Sequence, residues 1–60
     1  MKFKKGMKVT KYLHGAGVTS TEDDVVVKIQ KEKVWVAGSG TPFINGKKDG
    51  VFGFWEEIKP

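Results

Sequence analysis

From Val25 to Ala37 β-branched residues recur with a period of two, and the recurrence breaks once, at Lys31-Glu32. Val25, Val27 and Ile29 share one parity before the break; Val34 and Val36 share one after it. This is the pattern of two half-buried strands joined by a tight turn. Pairing about a two-residue Lys31-Glu32 turn sets Ile29 opposite Val34 and Val27 opposite Val36. All five β-branched residues then lie on one buried face, and Lys28 faces Trp35 on the other. A slip by one residue would bury Lys28 or Lys33, so the register is strongly specified. Lys-Glu is poor chemistry for a type I′ turn, which leaves a longer or bulged loop as the alternative.

The rest of the chain reads as strand and turn as well. Eight glycines, eight valines and three isoleucines in 60 residues disfavour helix almost everywhere. A first strand is expected over about Met7–Leu13, with Met7, Val9 and Leu13 on its apolar face. Lys11 falls on that face too, so it must sit at a rim or reach out by its stem. His14-Gly15-Ala16-Gly17 reads as a turn, Val18–Ser20 as a short strand and Thr21–Asp24 as a second, polar turn. Residues 38–50 form a long connection in which Thr41–Ile44 is a short edge strand or a 3₁₀ turn, Pro42 excluding a central strand. Asn45-Gly46 and Asp49-Gly50 are turn signals. The last strand is expected over about Val51–Ile58. Phe52, Phe54 and Ile58 share one of its parities with Glu56, so a bulge at Gly53 or a rim position for Glu56 is required.

Five short strands in one domain, residues 1–60, predict an all-β fold. It is either a five-stranded small barrel or a strongly curled antiparallel meander, since closure protects edges that a flat sheet this small exposes. The segment Lys5-Gly6-Met7-Lys8-Val9, followed by Gly15-Ala16-Gly17-Val18, resembles the opening of KOW-type and other SH3-like small barrels. In those, a glycine precedes an alternating strand and a Gly-Val step opens the next. The spacing between the two glycine sites departs from the KOW pattern. The Ala-Leu-Tyr-Asp-Tyr-like run of proline-binding SH3 domains is missing, so proline-peptide recognition is not implied.

Charge and composition narrow the functional classes. The net charge of +4 comes from eleven lysines, no arginine and seven acids. Residues 1–21 hold five of the lysines and no acid, before Glu22-Asp23-Asp24 reverses the sign locally. A basic surface attracts polyanions, and nucleic acid is the first partner to consider. No run of about 18 apolar residues is present to cross a membrane as a helix. The basic start Met1–Gly6 lacks a secretory apolar stretch and there is no cysteine, so a cytoplasmic location is the expectation.

Catalysis finds little support in these residues. There is one histidine, His14, in a glycine-rich turn where a solvated role is expected, and no serine or cysteine nucleophile beside a base. Glu22-Asp23-Asp24 lacks the alternate ligand spacing of a calcium loop, and Gly15-Ala16-Gly17 precedes a strand, not a phosphate-binding helix. No cofactor or metal is expected. The strongest candidate is the outer face of the central hairpin, where an exposed Trp35 amid Lys28 and Lys33 can stack a base while ammonium groups meet phosphates. Lys8 and Tyr12 on the first strand extend that surface, and Lys47-Lys48 add a basic loop. The competing reading is a cross-strand cation–π pair between Lys28 and Trp35 that serves the fold alone. Without arginine, which reads guanine by bidentate contacts, any such binding is expected to be salt-sensitive and weakly selective. The alternative class is a protein-binding regulatory or inhibitory module, using exposed strand edges and a patch of Phe43, Ile44 and Trp55.

Overall fold

The computed structural model describes residues 3–60, and among these no helix forms. Six strands follow one another: β1 (Lys8–Gly15), β2 (Val18–Gln30), β3 (Lys33–Val36), β4 (Phe43–Ile44), β5 (Lys47–Asp49) and β6 (Trp55–Lys59). Each pairs antiparallel with its neighbour in sequence, and β1 pairs with β6 to close the barrel. The chain is therefore a single all-β meander with its ends joined, six strands where the sequence suggested five.

Two differences account for the count. Thr21–Asp24 is strand, not turn, so Val18–Gln30 runs as one 13-residue β2. Its carboxylates are matched across the ladder: Lys11 lies opposite Glu22, and the Lys11 ammonium sits 3.1 Å from Glu22 Oε1 and 3.4 Å from Asp24 Oδ2. In turn, part of the long connection folds into β4 and β5 around Asn45-Gly46. These two residues take φ of 52° and 81°, the left-handed pair of a type I′ hairpin turn. Val51–Gly53, read as strand, is instead a turn closed by Phe54 N–H donating to Val51 O at 3.0 Å.

The central hairpin keeps part of its expected register. Ile29 lies opposite Val34, Lys28 opposite Trp35, and Lys31-Glu32 forms the turn. Lys31 alone of the two takes a positive φ, 57°. Beyond Lys28 the ladder shifts at a bulge, and Val26, not Val27, faces Val36. An extra residue on one strand inverts the parity that follows it. Val26 is consequently buried while Val27 is exposed and Val25 only half-buried, which corrects the core expected from alternation.

The observed core is Phe3, Val9, Val26, Val34, Val36, Phe43 and Ile58, with Met7 and Ile29 packed at its margin. Gly6 N–H donates to Val26 O at 2.8 Å and Val26 N–H to Met7 O at 2.9 Å, so the segment before β1 prolongs the ladder and seats Phe3. This core fills only the end of the barrel that carries the Lys31-Glu32 and Asn45-Gly46 turns. On the inward parities nearer the other end lie Lys11, Leu13, Glu22, Asp24, Lys48 and Glu56, of which Leu13 and Glu22 stay exposed.

These inward charges are paired. The Asp24 carboxylate accepts from Val25 N–H at 2.8 Å and Gly38 N–H at 3.1 Å, fastening the β3–β4 connection to β2. Burial disfavours the Asp24 charge, but the Val25 and Gly38 N–H groups and Lys11 together outweigh it and hold the carboxyl below its ordinary pKa. Burial likewise opposes the Lys11 charge, and its bonds and proximity to Glu22 and Asp24 together raise the ammonium above its ordinary value.

Candidate nucleic-acid interface

Antiparallel pairing puts Lys28 and Trp35 side by side on the outer face of β2 and β3. The Lys28 ammonium lies 4.6 Å from the centroid of the half-buried Trp35 ring, a cation–π contact worth about 0.5–1 kcal/mol at an exposed site. Lys33 shares Trp35's parity on β3 and is exposed between Gln30 of β2 and Ile44 of β4. Lys8, also exposed, opens β1 opposite Val25. Val25 is three residues along β2 from Lys28, about 10 Å at the rise of a strand. Lys8, Lys28, Lys33 and Trp35 therefore form one group on the outside of the barrel, with Lys31 in the adjoining turn.

Tyr12 does not belong to it. It faces Thr21, seven residues and about 23 Å along β2 from Lys28. Tyr12 joins a second group on β1 and β6, where its ring is stacked with His14 at 6.1 Å and His14 is stacked with Trp55 at 4.2 Å. Lysines bracket the row: Lys59 lies 5.2 Å from the Tyr12 centroid and Lys47 5.8 Å from that of Trp55. Glu57, opposite both Tyr12 and Lys47, is 3.0 Å from His14 Nε2, while His14 Nδ1 is 3.1 Å from Thr19 Oγ1. His14 is thus a strand residue held between two rings, not a solvated turn residue. Its parity with Tyr12 was the available signal, and it was hidden by ending the strand at Leu13. Lys59 was missed for a similar reason, since only the closure of β1 on β6 brings it to Tyr12.

Lys47 and Lys48 are in β5, not in a basic loop, and alternation sends them to opposite faces. Lys47 points outward beside Ile44 and Glu57. Lys48 points inward: its ammonium lies 4.8 Å from the Phe43 ring centroid, donates to Ser39 Oγ and to Thr41 Oγ1 (3.0 Å), and stands 3.8 Å from Glu56. That makes Lys48 a fastening for the β3–β4 connection. Phe43 is completely buried, so it cannot contribute to a surface patch. Ile44 is exposed next to Lys47, and Trp55 is half-buried against His14, so Phe43, Ile44 and Trp55 form no common surface. Closure also removes most free edges; among the described residues the longest stretch with a single partner strand is Val18–Asp24 of β2.

Charge is segregated along the barrel. No lysine occurs in residues 13–20 or 49–55, the segments that form the β1–β2 and β5–β6 turns at one end. The outward lysines occupy the remainder, with Lys28, Lys31 and Lys33 at the opposite end beside Trp35. Comparison with protein-family models, with curated proteins and with solved structures finds no match for this chain.

Proposed function

We propose that this protein is a non-enzymatic nucleic-acid-binding module that engages single strands with little sequence selectivity through Trp35, Lys28, Lys33 and Lys8. The observation that carries the reading is the Lys28–Trp35 pair set among exposed lysines at one end of the barrel. For a base to stack on Trp35, Lys28 must leave the ring face, at a cost of about 0.5–1 kcal/mol. Stacking a base on an aromatic ring returns about 1–3 kcal/mol, and the displaced ammonium becomes free to meet a phosphate. The exchange is favourable on these magnitudes.

The Tyr12–His14–Trp55 row is the weaker candidate. Its rings already use their faces on one another, and the Glu57 carboxylate beside them repels phosphate. Lysine point charges and a sequence-tolerant stacking ring together favour binding without base readout. The finer likeness to SH3-like barrels of KOW type belongs to the same proposal. It is supported by the closed antiparallel meander and by Gly6, whose φ of 87° precedes the first strand.

Intrinsic tryptophan fluorescence, followed while an oligothymidylate or oligouridylate is added, tests the reading. Quenching should weaken with salt, with a slope near −2 in log K against log salt if Lys8, Lys28 and Lys33 each meet one phosphate. Trp35→Ala should abolish both quenching and affinity, and Lys28→Gln should make the slope shallower. Absence of binding at low salt would refute the proposal.

A further inference from the structure

The lysine-free end of the barrel carries a different surface. Among the described residues, five of the seven large exposed apolar ones gather there: Leu13, Val18, Val51, Phe52 and Phe54. Phe52 is 95% exposed, Val51 69% and Val18 64%. Two turns build this tip, Ala16-Gly17 between β1 and β2 and Val51–Phe54 between β5 and β6. They are locked together because the Phe54 ring lies on Gly15, occupying the space a Cβ would need.

Nothing in the fold calls for phenylalanine at position 52. Its φ is 55°, in the left-handed region that glycine and asparagine take readily and bulky residues rarely do. Its side chain is almost wholly in solvent, so the strain is not offset by packing within the barrel. Strained, over-exposed residues of this kind mark contact sites.

We infer that the tip is a self-association surface, and that two copies of this chain pack tip to tip with each Phe52 over the low Ala16-Gly17 turn of the other. The inference is independent of the nucleic-acid reading. The argument for a second copy is electrostatic. Asp49 is the one charged residue among 13–20 and 49–55, so two tips of this +4 chain meet without bringing lysine against lysine, as two copies of the Lys28, Lys31 and Lys33 end would. Lys47, the outward lysine nearest the tip, is level with Tyr12 across Glu57, four residues and about 13 Å along the strand direction from Ala16, beyond the Debye length of about 10 Å in 0.1 M salt. A bilayer fits less well, because the lysines that would approach anionic headgroups face away from the tip. With an aromatic side chain offering about 150–250 Å², the exposed parts of the five residues come to roughly 500 Å² per copy. A pair then buries about 1,000 Å², the lower edge for a specific contact, which makes the dimer weak and concentration-dependent.

Sedimentation equilibrium of the full chain up to millimolar concentration tests this. The weight-average mass should climb from 6.7 kDa towards twice that value within this range. Phe52→Asn suits the turn better and should fold normally, yet weaken association at least tenfold. Trp35→Ala should associate like the parent. Raising the salt should leave association unchanged or tighten it, the reverse of its effect on nucleic-acid binding. A monomer at every concentration would overturn the inference. So would a monomer that pellets with neutral phosphatidylcholine vesicles in a Phe52-dependent way.

Discussion

Val26 and Val27 are chemically identical neighbours in β2, and the bulge alone decides which of them holds the barrel together. Truncating Val26 to alanine removes two methyl groups from a site that is 1% exposed. At about 0.8 kcal/mol per buried carbon the transfer loss is roughly 1.6 kcal/mol, and the unfilled space adds about 1 kcal/mol. The expected cost is about 2–3 kcal/mol. A 60-residue domain has only about 3–9 kcal/mol of stability, so this is a large fraction of the whole. With an unfolding entropy of about 2.1 cal/mol/K per residue, the midpoint should fall by roughly 15–25 °C. Val27→Ala, at an exposed bulge position, should cost no more than about 0.5 kcal/mol, or about 4 °C. Thermal melts of the two variants, followed by circular dichroism and by tryptophan emission, separate the cases. If Val27→Ala proved the more damaging, or the two were equal, the bulge and every inward assignment beyond it would be wrong.

Two further stability effects follow from particular contacts. Asp24→Ala should cost about 1–3 kcal/mol in urea unfolding at pH 7, because the Val25 and Gly38 N–H groups and Lys11 lose their shared acceptor. The Asp24 pKa is lowered in the folded state, so its contribution is complete above the unfolded value of about 3.9 and disappears as pH falls through the folded value; the difference between parent and variant should therefore shrink in acid. The Lys11 pKa is raised, so its contribution is complete below about 10.4 and is lost only as pH rises through the folded value. Gly15→Ala would ordinarily stabilise a strand by about 0.4–1 kcal/mol. Here it should destabilise by about 1–2 kcal/mol because Phe54 must move, and the penalty should vanish in a Phe54→Ala background.

What was legible in the sequence was local. Alternation between Lys28 and Val34 gave the hairpin's turn, the Lys28–Trp35 pair and the burial of Val34 and Val36. Asn45-Gly46 announced its turn because left-handed backbone has a residue signature. The bulge had none, since three consecutive valines are equally apolar whichever of them faces inward. Thr21–Asp24 looked like a turn because its carboxylates seemed to demand solvent, and their partners Lys11 and Gly38 are 11 and 14 residues away from Glu22 and Asp24. Tyr12, His14 and Trp55 could be grouped only after β1 had closed on β6, a pairing across more than 40 residues. Lys48 looked like its neighbour Lys47 until β5 existed to send the two in opposite directions.

The proposed division of the barrel into a lysine-rich end for nucleic acid and a lysine-free apolar tip is most directly tested by amide chemical-shift mapping. The ¹⁵N-labelled chain would be titrated with a short single-stranded oligonucleotide at low salt, holding the protein dilute enough to stay monomeric. Shifts should concentrate at Lys8, Lys28–Val36 and the Trp35 indole N–H, leaving Gly15–Val18 and Gly50–Phe54 unmoved. Shifts centred on the tip, or on the Tyr12–His14–Trp55 row with Trp35 unaffected, would contradict the account.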